Sequence, residues 1–324
     1  MKKKTPIFAA AAFLLLILSG AFCHKSHWPG GTDPGIHGAL TDIYPHDNGI
    51  ERDPNVLYVE KFEDSLSAIQ SRYTDVLNPE GMSLDTDVPP GSTGKYSLKI
   101  TNTGGQNTGG HLFRNFDPGF DSTVYLRYYV KYPAISKGYI HHESVWIGGY
   151  EPSTPWPNPR AGTCGLDGRL SIAYEPINSD SILGTYLYWS NMHSWNGGSS
   201  CYGNDVNHAD PQSFQWDKWI CIEIMIKMNN PVTASNGELQ IWQDGREIGH
   251  WGPGFPNGHW AADTWLRNAG DPPFEGFQWR KDGGLNINNI WIEFYDDQSP
   301  EGVSHYIKYD HLVIAKKYIG PLKN

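Results

Sequence analysis

The central part of the chain, from residue 139 to 195, alternates hydrophobic and polar residues in three runs. These runs are 139–149, 168–174 and 185–189. Such alternation is typical of half-buried β-strands, in which every second side chain projects from the same sheet face. We therefore expect one face to collect a set of polar side chains: His142, Arg169 or Ser171, Tyr186 and Tyr188. This set suits a polar polymer and can move protons.

Further alternating runs on both sides of the centre predict more strands, at 57–63, 96–100, 124–132, 219–228, 238–243, 285–295 and 306–315. Asp244-Gly245 between two of these runs is a strong hairpin signal. No amphipathic pattern extends beyond about two helical turns. The sequence thus predicts an all-β domain over residues 56–324, a two-sheet antiparallel β-sandwich or jelly roll.

The first 21 residues have the pattern of a secretory signal peptide. Three lysines at 2–4 precede an apolar run over 7–18 and then small residues, with cleavage expected after Ala21. The run is too short to span a membrane, and no other segment is apolar enough to do so. We expect a secreted or periplasmic protein; a lipid anchor on Cys23 is less favoured because bulky Phe22 precedes it. Residues 22–55, rich in Gly, Pro, His and Asp, predict a flexible arm.

Composition narrows the classes of ligand. A net charge of −10 over 324 residues argues against nucleic-acid binding, which needs a basic surface. With 13 Trp, 18 Tyr and 12 Phe, many aromatic rings must lie outside the core, where they can line a groove and stack on sugars. Because export permits disulfides, we expect Cys164 to pair with Cys201 across two glycine-rich loops, and Cys221 to be a buried thiol. The sequence leaves the oligomeric state open.

The order of the pieces resembles a known group of enzymes. The strand at 125–131 is followed by the run 142–149, by Arg169-Leu170-Ser171 and by Tyr186-Leu187-Tyr188, with closing pieces at 236–245 and 309–314. This order is similar to the jelly-roll polysaccharide lyases with a concanavalin A-like sandwich, in particular the alginate and glucuronan lyase group of family fourteen. The resemblance covers about residues 57–319. His142 stands where that family has a lysine, and Arg169 and Ser171 appear in reversed order.

The resemblance implies cleavage of a uronate-containing polysaccharide by β-elimination. That reaction needs a cation or hydrogen-bond donor on the uronate carboxylate, a base for the neighbouring proton and an acid for the leaving oxygen. His142 is a candidate for the base or for the cation, and Arg169 for holding the carboxylate. Tyr186 and Tyr188 are candidates for base and acid. Further substrate contacts are expected from Ser171, Glu143, Trp146, Trp189 and Trp195, and no cofactor is needed for catalysis.

Two other functions stay open. A glycoside hydrolase acting on a neutral glycan needs two carboxylates, and the presumed strands offer Glu143, Glu175, Glu223, Glu293 and Asp296. A non-catalytic carbohydrate-binding protein needs only stacking tryptophans in its loops. The placement of six basic residues separates charged from neutral glycans, because a uronate site should gather them at the groove: Lys137, Arg160, Arg169, Arg267, Arg280 and Lys281.

A structural calcium is a further expectation. Glu63 and Asp64 follow the first predicted strand, and Asp310 lies in the last. Lectin-like sandwiches often join these two places through such an ion, and carboxylate oxygens suit this hard cation. A zinc site is not expected, because no short Cys/His spacing repeats.

Overall fold

The strands of the chain form two large antiparallel sheets. The computed structural model describes residues 38–139, 141–165, 167–177 and 181–323. In chain order the strands are β1 Val56–Glu60, β2 Asp75–Leu77, β3 Met82–Asp85, β4 Ser97–Thr103, β5 Gly109–Phe120, β6 Thr123–Lys131, β7 His142–Tyr150, β8 Arg169–Pro176, β9 Ile182–Tyr188, β10 Gln212–Ser213, β11 Trp219–Lys227, β12 Glu238–Gln243, β13 Arg246–Trp251, β14 Gly258–Ala261, β15 Thr264–Arg267, β16 Ile287–Tyr295 and β17 Ser304–Ala315.

One sheet has eight strands: seven in the order β13-β12-β11-β6-β17-β4-β3, and β1, which pairs with residues 312–315 of β17. The second sheet has seven strands in the order β10-β9-β8-β7-β16-β5-β2. A small β14-β15 pair lies apart from both. Helices are short: α1 Leu40–Ile43, α2 Leu66–Gln70 and 3₁₀ turns at Pro45–Asp47, Ile50–Arg52, Pro79–Gly81 and Ala134–Ser136. The predicted two-sheet jelly roll is confirmed.

Alternation along the strands fills the space between the sheets. Ile147, Ile172 and Leu187 of the seven-stranded sheet and Leu126 and Ile224 of the other are fully or almost fully buried. Each such side chain contributes about 1.5–3 kcal/mol to folding. The intervening residues of β7, β8 and β9 therefore project from the outer face of the seven-stranded sheet.

The predicted hairpin at Asp244-Gly245 is confirmed, since β12 and β13 pair across it from Gln243 and Arg246. Sequence reasoning missed β5, which pairs with both β16 and β2. This strand contains two adjacent glycines and an Asp-Pro step, residues that are usually depleted in strands.

The prediction of a flexible arm over 22–55 is wrong for residues 38–55, which belong to the same compact unit as the rest of the described chain. Leu40 and Ile50 are buried against Val313 and Ile319. These anchors are isolated in the sequence, so they give no periodic signal. The predicted signal peptide 1–21, Cys23 and the remainder of the arm lie outside the described residues.

A buried ion pair fastens this N-terminal segment. The Asp47 carboxylate lies 2.5 Å from an Arg127 guanidinium nitrogen, and both side chains are completely buried. His311 Nδ1 is 2.8 Å from the same carboxylate oxygen. Burial disfavours the charge on Asp47, but Arg127 and His311 outweigh it and lower the pKa of the carboxyl group.

We expect Asp47→Ala to lower the free energy of unfolding by about 3–5 kcal/mol, because it leaves the Arg127 charge buried without its partner. The control is Glu51→Ala, which removes a more exposed ion pair with Lys61 at 3.3 Å and should cost less than about 1 kcal/mol. Urea unfolding of both variants measures the difference. Equal losses would show that the buried pair is not what fastens the segment.

Candidate active site

The outer face of the seven-stranded sheet carries a groove made of two adjoining cavities. The first, of about 490 Å³, is lined by aromatic rings and two arginines and is called the aromatic cavity: Phe113, Trp146, Trp156, Trp291, Arg160 and Arg169. The second, of about 670 Å³, contains three acidic side chains and is called the carboxylate cavity: Glu175, Asp205 and Asp263, with Tyr202 and His208. His142 and Tyr186 line both cavities.

Strand register brings the predicted residues to this face. Strand β8 pairs with β9 so that Ser171 lies opposite Tyr188 and Ala173 opposite Tyr186. On the other side, β7 pairs with β16 so that His142 lies opposite Tyr295. The predicted convergence of His142, Arg169, Tyr186 and Tyr188 on one sheet face is therefore what the structure shows.

A His–Glu bridge lies where the two cavities meet. The β7–β8 ladder extends only from Ile147–Ile172 to Tyr150–Arg169. Beyond the ladder, His142 Nδ1 lies 2.8 Å from the Glu175 carboxylate. Burial opposes a charge on His142, but Glu175 outweighs it and raises the pKa of the imidazole to about 9. The ring is thus a cation at neutral pH, and only Nε2 is left to contact a ligand.

Two phenols and a guanidinium form the centre of the aromatic side. The Arg169 guanidinium carbon lies 3.6 Å from the centre of the Tyr188 ring, close enough for a cation–π interaction. Arg169 Nε donates to Ser171 Oγ at 2.9 Å, which orients the guanidinium. The Tyr188 hydroxyl donates to the Tyr186 hydroxyl at 3.4 Å.

Burial raises the pKa of both phenols, and Arg169 opposes that rise in each. Both hydroxyls are therefore protonated at neutral pH in the free protein. Tyr188 has the guanidinium stacked directly on its ring, so it is the phenol whose ionisation Arg169 assists most directly.

Glu293 and His111 belong to the same groove. Trp146 Nε1 donates to Glu293 Oε2 at 2.6 Å, and Glu293 Oε1 lies 3.9 Å from His111 Nδ1. Trp291 Nε1 also lies 3.2 Å from His111 Nδ1; since an indole nitrogen only donates, that imidazole nitrogen is an acceptor. Burial raises the pKa of Glu293 to about 8 and lowers that of His111 to about 4. At neutral pH this corner therefore holds a neutral carboxyl group and a neutral imidazole.

Sequence reasoning gave Glu293 only as a hydrolase candidate and did not name His111. Glu293 lies two residues after Trp291 in a predicted strand, so the sequence already indicated that the two side chains share one face. His111 lies on the missed strand β5, where no such pattern was available.

The predicted substrate contacts are only partly placed in the groove. Trp146 lines the aromatic cavity, and Ser171 serves to orient Arg169. The predictions for Glu143 and Trp189 are wrong, because both are buried and neither is among the described residues lining the cavities. Glu143 faces away from His142, its neighbour on β7, as alternation requires.

Trp189 follows the end of β9 and packs into the core, with its ring centre 5.0 Å from that of Phe277, and its indole nitrogen donates to Asn204 at 3.0 Å. Trp195 is exposed on a loop and is also not among the described lining residues of either cavity.

The candidate carboxylates for hydrolysis reduce to Glu175 and Glu293. Glu223 lies on the eight-stranded sheet, where it accepts hydrogen bonds from the Ile319 and Gly320 backbone nitrogens. Asp296 is bound to His305 at 2.9 Å. Glu175 lines one cavity and Glu293 the other.

The six basic residues divide unequally. Arg160 and Arg169 line the aromatic cavity. Lys281 instead pairs with Asp167 at 3.0 Å, Arg280 is buried against the Leu285 carbonyl, Arg267 lies over the Trp251 ring and Lys137 follows a surface 3₁₀ turn. Among the described lining residues, arginine is therefore found only in the aromatic half of the groove.

The expected calcium ligands are only partly assembled. Asp310 is buried with one oxygen, Oδ2, lacking a hydrogen-bond partner, and burial and Glu63 raise its pKa. Glu63 accepts from the Lys95 and Tyr96 backbone nitrogens. Asp64 pairs with Arg72 at 2.7 Å. Across the described ranges no group of three His, Cys, Asp or Glu side chains is arranged for a metal, so calcium at Glu63, Asp64 and Asp310 stays a prediction.

A disulfide holds the groove rim. Cys164 and Cys201 are bonded, with Cα atoms 5.0 Å apart, which confirms the predicted pair; Cys221 is a buried free thiol, as predicted. The Gly162 amide also donates to the Cys201 carbonyl at 2.8 Å. These bonds join the loop of Arg160 to the loop of Tyr202, and thus one wall of each cavity.

We expect replacement of both Cys164 and Cys201 by serine to lower the free energy of unfolding by about 3–4 kcal/mol, from the loop-closure entropy of their 37-residue separation. Thermal unfolding with and without a thiol reductant measures it. The reductant should lower the melting temperature of the natural protein and leave that of the double variant unchanged. If the reductant lowered the melting temperature of both proteins equally, the Cys164–Cys201 disulfide would not be the source of the stabilisation.

The groove also predicts how stability depends on pH. The folded state holds a proton on His142 up to about pH 9 and on Glu293 up to about pH 8, whereas both groups release it earlier in the unfolded chain. The contribution of these two groups to the free energy of unfolding should therefore fall as the pH rises, between about 4.5 and 8 for Glu293 and between about 6.5 and 9 for His142. Glu293→Gln, which stays neutral, should flatten this fall in urea titrations, and the exposed control Glu301→Gln should not. A slope unchanged by Glu293→Gln would contradict the assignment.

Comparison with known proteins concerns the fold. No family model matches the sequence, and no curated protein matches it significantly. Among solved structures, the alginate lyase vAL-1 from a Chlorella virus is 16% identical with a TM-score of 0.53, covering 81% of this chain and 100% of that one. The PL-14 alginate lyase from Aplysia kurodai is 12% identical with a TM-score of 0.50, covering 82% and 100%.

The endo-β-1,4-glucuronan lyase from Trichoderma reesei is also similar, at 12% identity and a TM-score of 0.43, covering 82% of this chain and 92% of that one. None of the helices in the described ranges is long and apolar enough to cross a membrane. The chain has the jelly-roll fold of the alginate lyases, which is the fold that the sequence resemblance predicted.

Proposed function

We propose that this protein is a secreted polysaccharide lyase that cleaves a uronate-containing polysaccharide by β-elimination. The observation that carries the proposal is the Tyr186–Tyr188 hydroxyl pair in a groove that also contains two cations, Arg169 and His142. Elimination needs two proton-transfer groups close together and a positive charge for the uronate carboxylate. This arrangement supplies both.

The cations bind the substrate carboxylate. Arg169 is fixed by Ser171 and by the Pro159 carbonyl, to which it donates at 3.0 Å. Charged His142, whose ring centre lies 5.1 Å from that of Tyr186, offers Nε2–H, since its Nδ1 is bound to Glu175. Neutralising the carboxylate makes the proton on the adjacent carbon more acidic, because negative charge develops there in the transition state.

The phenols move the protons. Tyr188 first releases its proton to solvent, because Arg169 stabilises the phenolate, and the phenolate then takes the proton from the carbon next to the carboxylate. The electron pair left on that carbon forms the double bond, and the bond from the next carbon to the glycosidic oxygen breaks. Tyr186 gives its proton to that oxygen, and a proton then passes from Tyr188 to Tyr186 across their 3.4 Å contact. The site returns to its starting state without a cofactor.

A glycoside hydrolase acting on a neutral glycan is the second candidate. Glu293 has the raised pKa of a general acid, about 8 because of burial, and Glu175 is the other carboxylate in the groove. Hydrolysis would use these two groups on opposite sides of the bond and adds water to the products. A third outcome is a groove that binds polysaccharide without cleaving it.

Purified protein incubated with a panel of polyuronates and neutral glycans separates these functions. We expect a rise in ultraviolet absorbance from unsaturated ends on at least one uronate polymer. Tyr188→Phe should reduce its rate about 10²–10⁴-fold, because a phenyl ring transfers no proton. The matched control Tyr96→Phe removes an exposed phenol just before β4, a strand of the other sheet, and should keep the rate.

Circular dichroism of each variant excludes loss of fold as the cause. Reducing ends released from a neutral glycan without absorbance, and abolished in Glu293→Gln, would replace elimination with hydrolysis. Binding to a polysaccharide with neither signal would leave a binding protein.

A further inference from the structure

The two halves of the groove differ in charge. We infer that the aromatic cavity takes the uronate ring while the carboxylate cavity takes an uncharged sugar ring, so that the substrate is a mixed polysaccharide of uronate and neutral residues. This inference rests on the proposed function, and it adds the class of substrate. A homopolyuronate, with a carboxylate on every ring, would place one in each cavity.

The aromatic cavity is built for an anionic ring. Its lining includes Arg160 and Arg169, which are positively charged at any ordinary pH. An arginine side chain binds a carboxylate through two parallel hydrogen bonds. Trp156 is 40% exposed and packs against Phe113 with ring centres 4.9 Å apart. A supported, accessible indole of this kind offers a flat surface for a sugar ring.

The carboxylate cavity has the opposite character. Its described lining contains Glu175, Asp205 and Asp263 and no lysine or arginine. The Glu175 charge is compensated by His142, which leaves Asp205 and Asp263. Asp205 Oδ2 lies 3.4 Å from the exposed His208, an imidazole that is charged only when protonated, and Asp263 accepts from Thr264 Oγ1 at 3.2 Å.

His141 adds no free cation to this cavity, because its Nδ1 lies 3.1 Å from Asp297. A carboxylate on a bound ring would therefore meet negative charge within the groove, and like charges at such distances repel. We expect that repulsion to weaken binding about tenfold or more, since a groove excludes part of the screening solvent.

An uncharged ring suits the same cavity. Sugar hydroxyls donate hydrogen bonds, and carboxylate oxygens only accept. Asp205 Oδ1 is already taken by Thr185 Oγ1 at 2.8 Å and by the Asn207 amide at 3.0 Å, so this side chain is held in place for such contacts. Tyr202, 48% exposed, adds an aromatic surface at the rim.

The boundary between the arginine-lined cavity and the carboxylate cavity lies beside Tyr186, the proposed proton donor. His142 and Tyr186 line both cavities, and their ring centres are 5.1 Å apart. A glycosidic oxygen near Tyr186 would therefore have its uronate on the arginine side and its neutral neighbour on the carboxylate side. The bond cut is the one joining these two kinds of ring.

The test compares two substrate sets: homopolyuronates (polymannuronate, polyguluronate and glucuronan) and polymers that alternate a uronate with a neutral or N-acetylated sugar. Unsaturated ends are followed by absorbance. We expect kcat/KM to be at least about tenfold higher on one of the alternating polymers than on every homopolyuronate, from the repulsion described above.

Asp263→Asn removes one of the two uncompensated charges without changing side-chain size. It should narrow that preference by raising kcat/KM on homopolyuronates about three- to tenfold, and Asp263→Lys should narrow it further. Asp121→Asn, an exposed carboxylate at the β5–β6 turn, is the matched control and should leave the ratio unchanged.

Isothermal titration with oligosaccharides of both sets, using Tyr188→Phe to prevent turnover, reads the same preference from binding alone. Unsaturated ends formed equally well from homopolyuronates, with a ratio unaffected by Asp263→Asn, would overturn the inference and leave the lyase proposal standing. No unsaturated ends from any polymer would overturn the lyase proposal. In that case equal binding of both oligosaccharide sets would also overturn the inference, and preferred binding of the alternating set would support it.

Discussion

The hydrogen-bonded pair of His142 and Glu175 is the contact on which the groove depends. It spans β7 and β8 at 2.8 Å, beyond the last pair of their ladder. There, Ser144 and Tyr128 hydroxyls donate to the Tyr174 carbonyl, in place of backbone partners from β7. Strands β7 and β8 are therefore not paired at this end, which makes room for the groove. The His142–Glu175 bridge keeps a cation where the two cavities meet.

Burial is the main cause of the raised pKa values in this groove. It raises the pKa of Tyr186, Tyr188 and Glu293, so each of these groups holds its proton at neutral pH. Against this, His142 and Arg169 supply positive charge that favours negative charge when it develops on a ligand or a phenol. The groove thus holds proton donors and cations together, at some cost in stability, because ionisable groups in apolar surroundings oppose folding when they ionise.

Strand alternation predicted most of this site, because period two fixes which side chains share a face. It placed His142 with Tyr186 and Tyr188, and the same rule excludes Glu143. Alternation does not determine which way a side chain beyond a strand end points, because tertiary packing decides it. Trp189, just after β9, was therefore predicted to contact substrate but is buried in the core. Asp47 gave no signal at all, since its partner Arg127 is 80 residues away. Strand β5 was hidden by glycine and proline, and with it His111.

The most direct test of the elimination groove is to run the reaction in water labelled with the heavy isotope of oxygen and weigh the products. Elimination breaks the bond to the glycosidic oxygen without adding water, so we predict products from a uronate polymer that carry no label, with one new unsaturated end for each bond cleaved. Products that take up one labelled oxygen per cleavage would contradict the account, because they require hydrolysis by carboxylates such as Glu175 and Glu293.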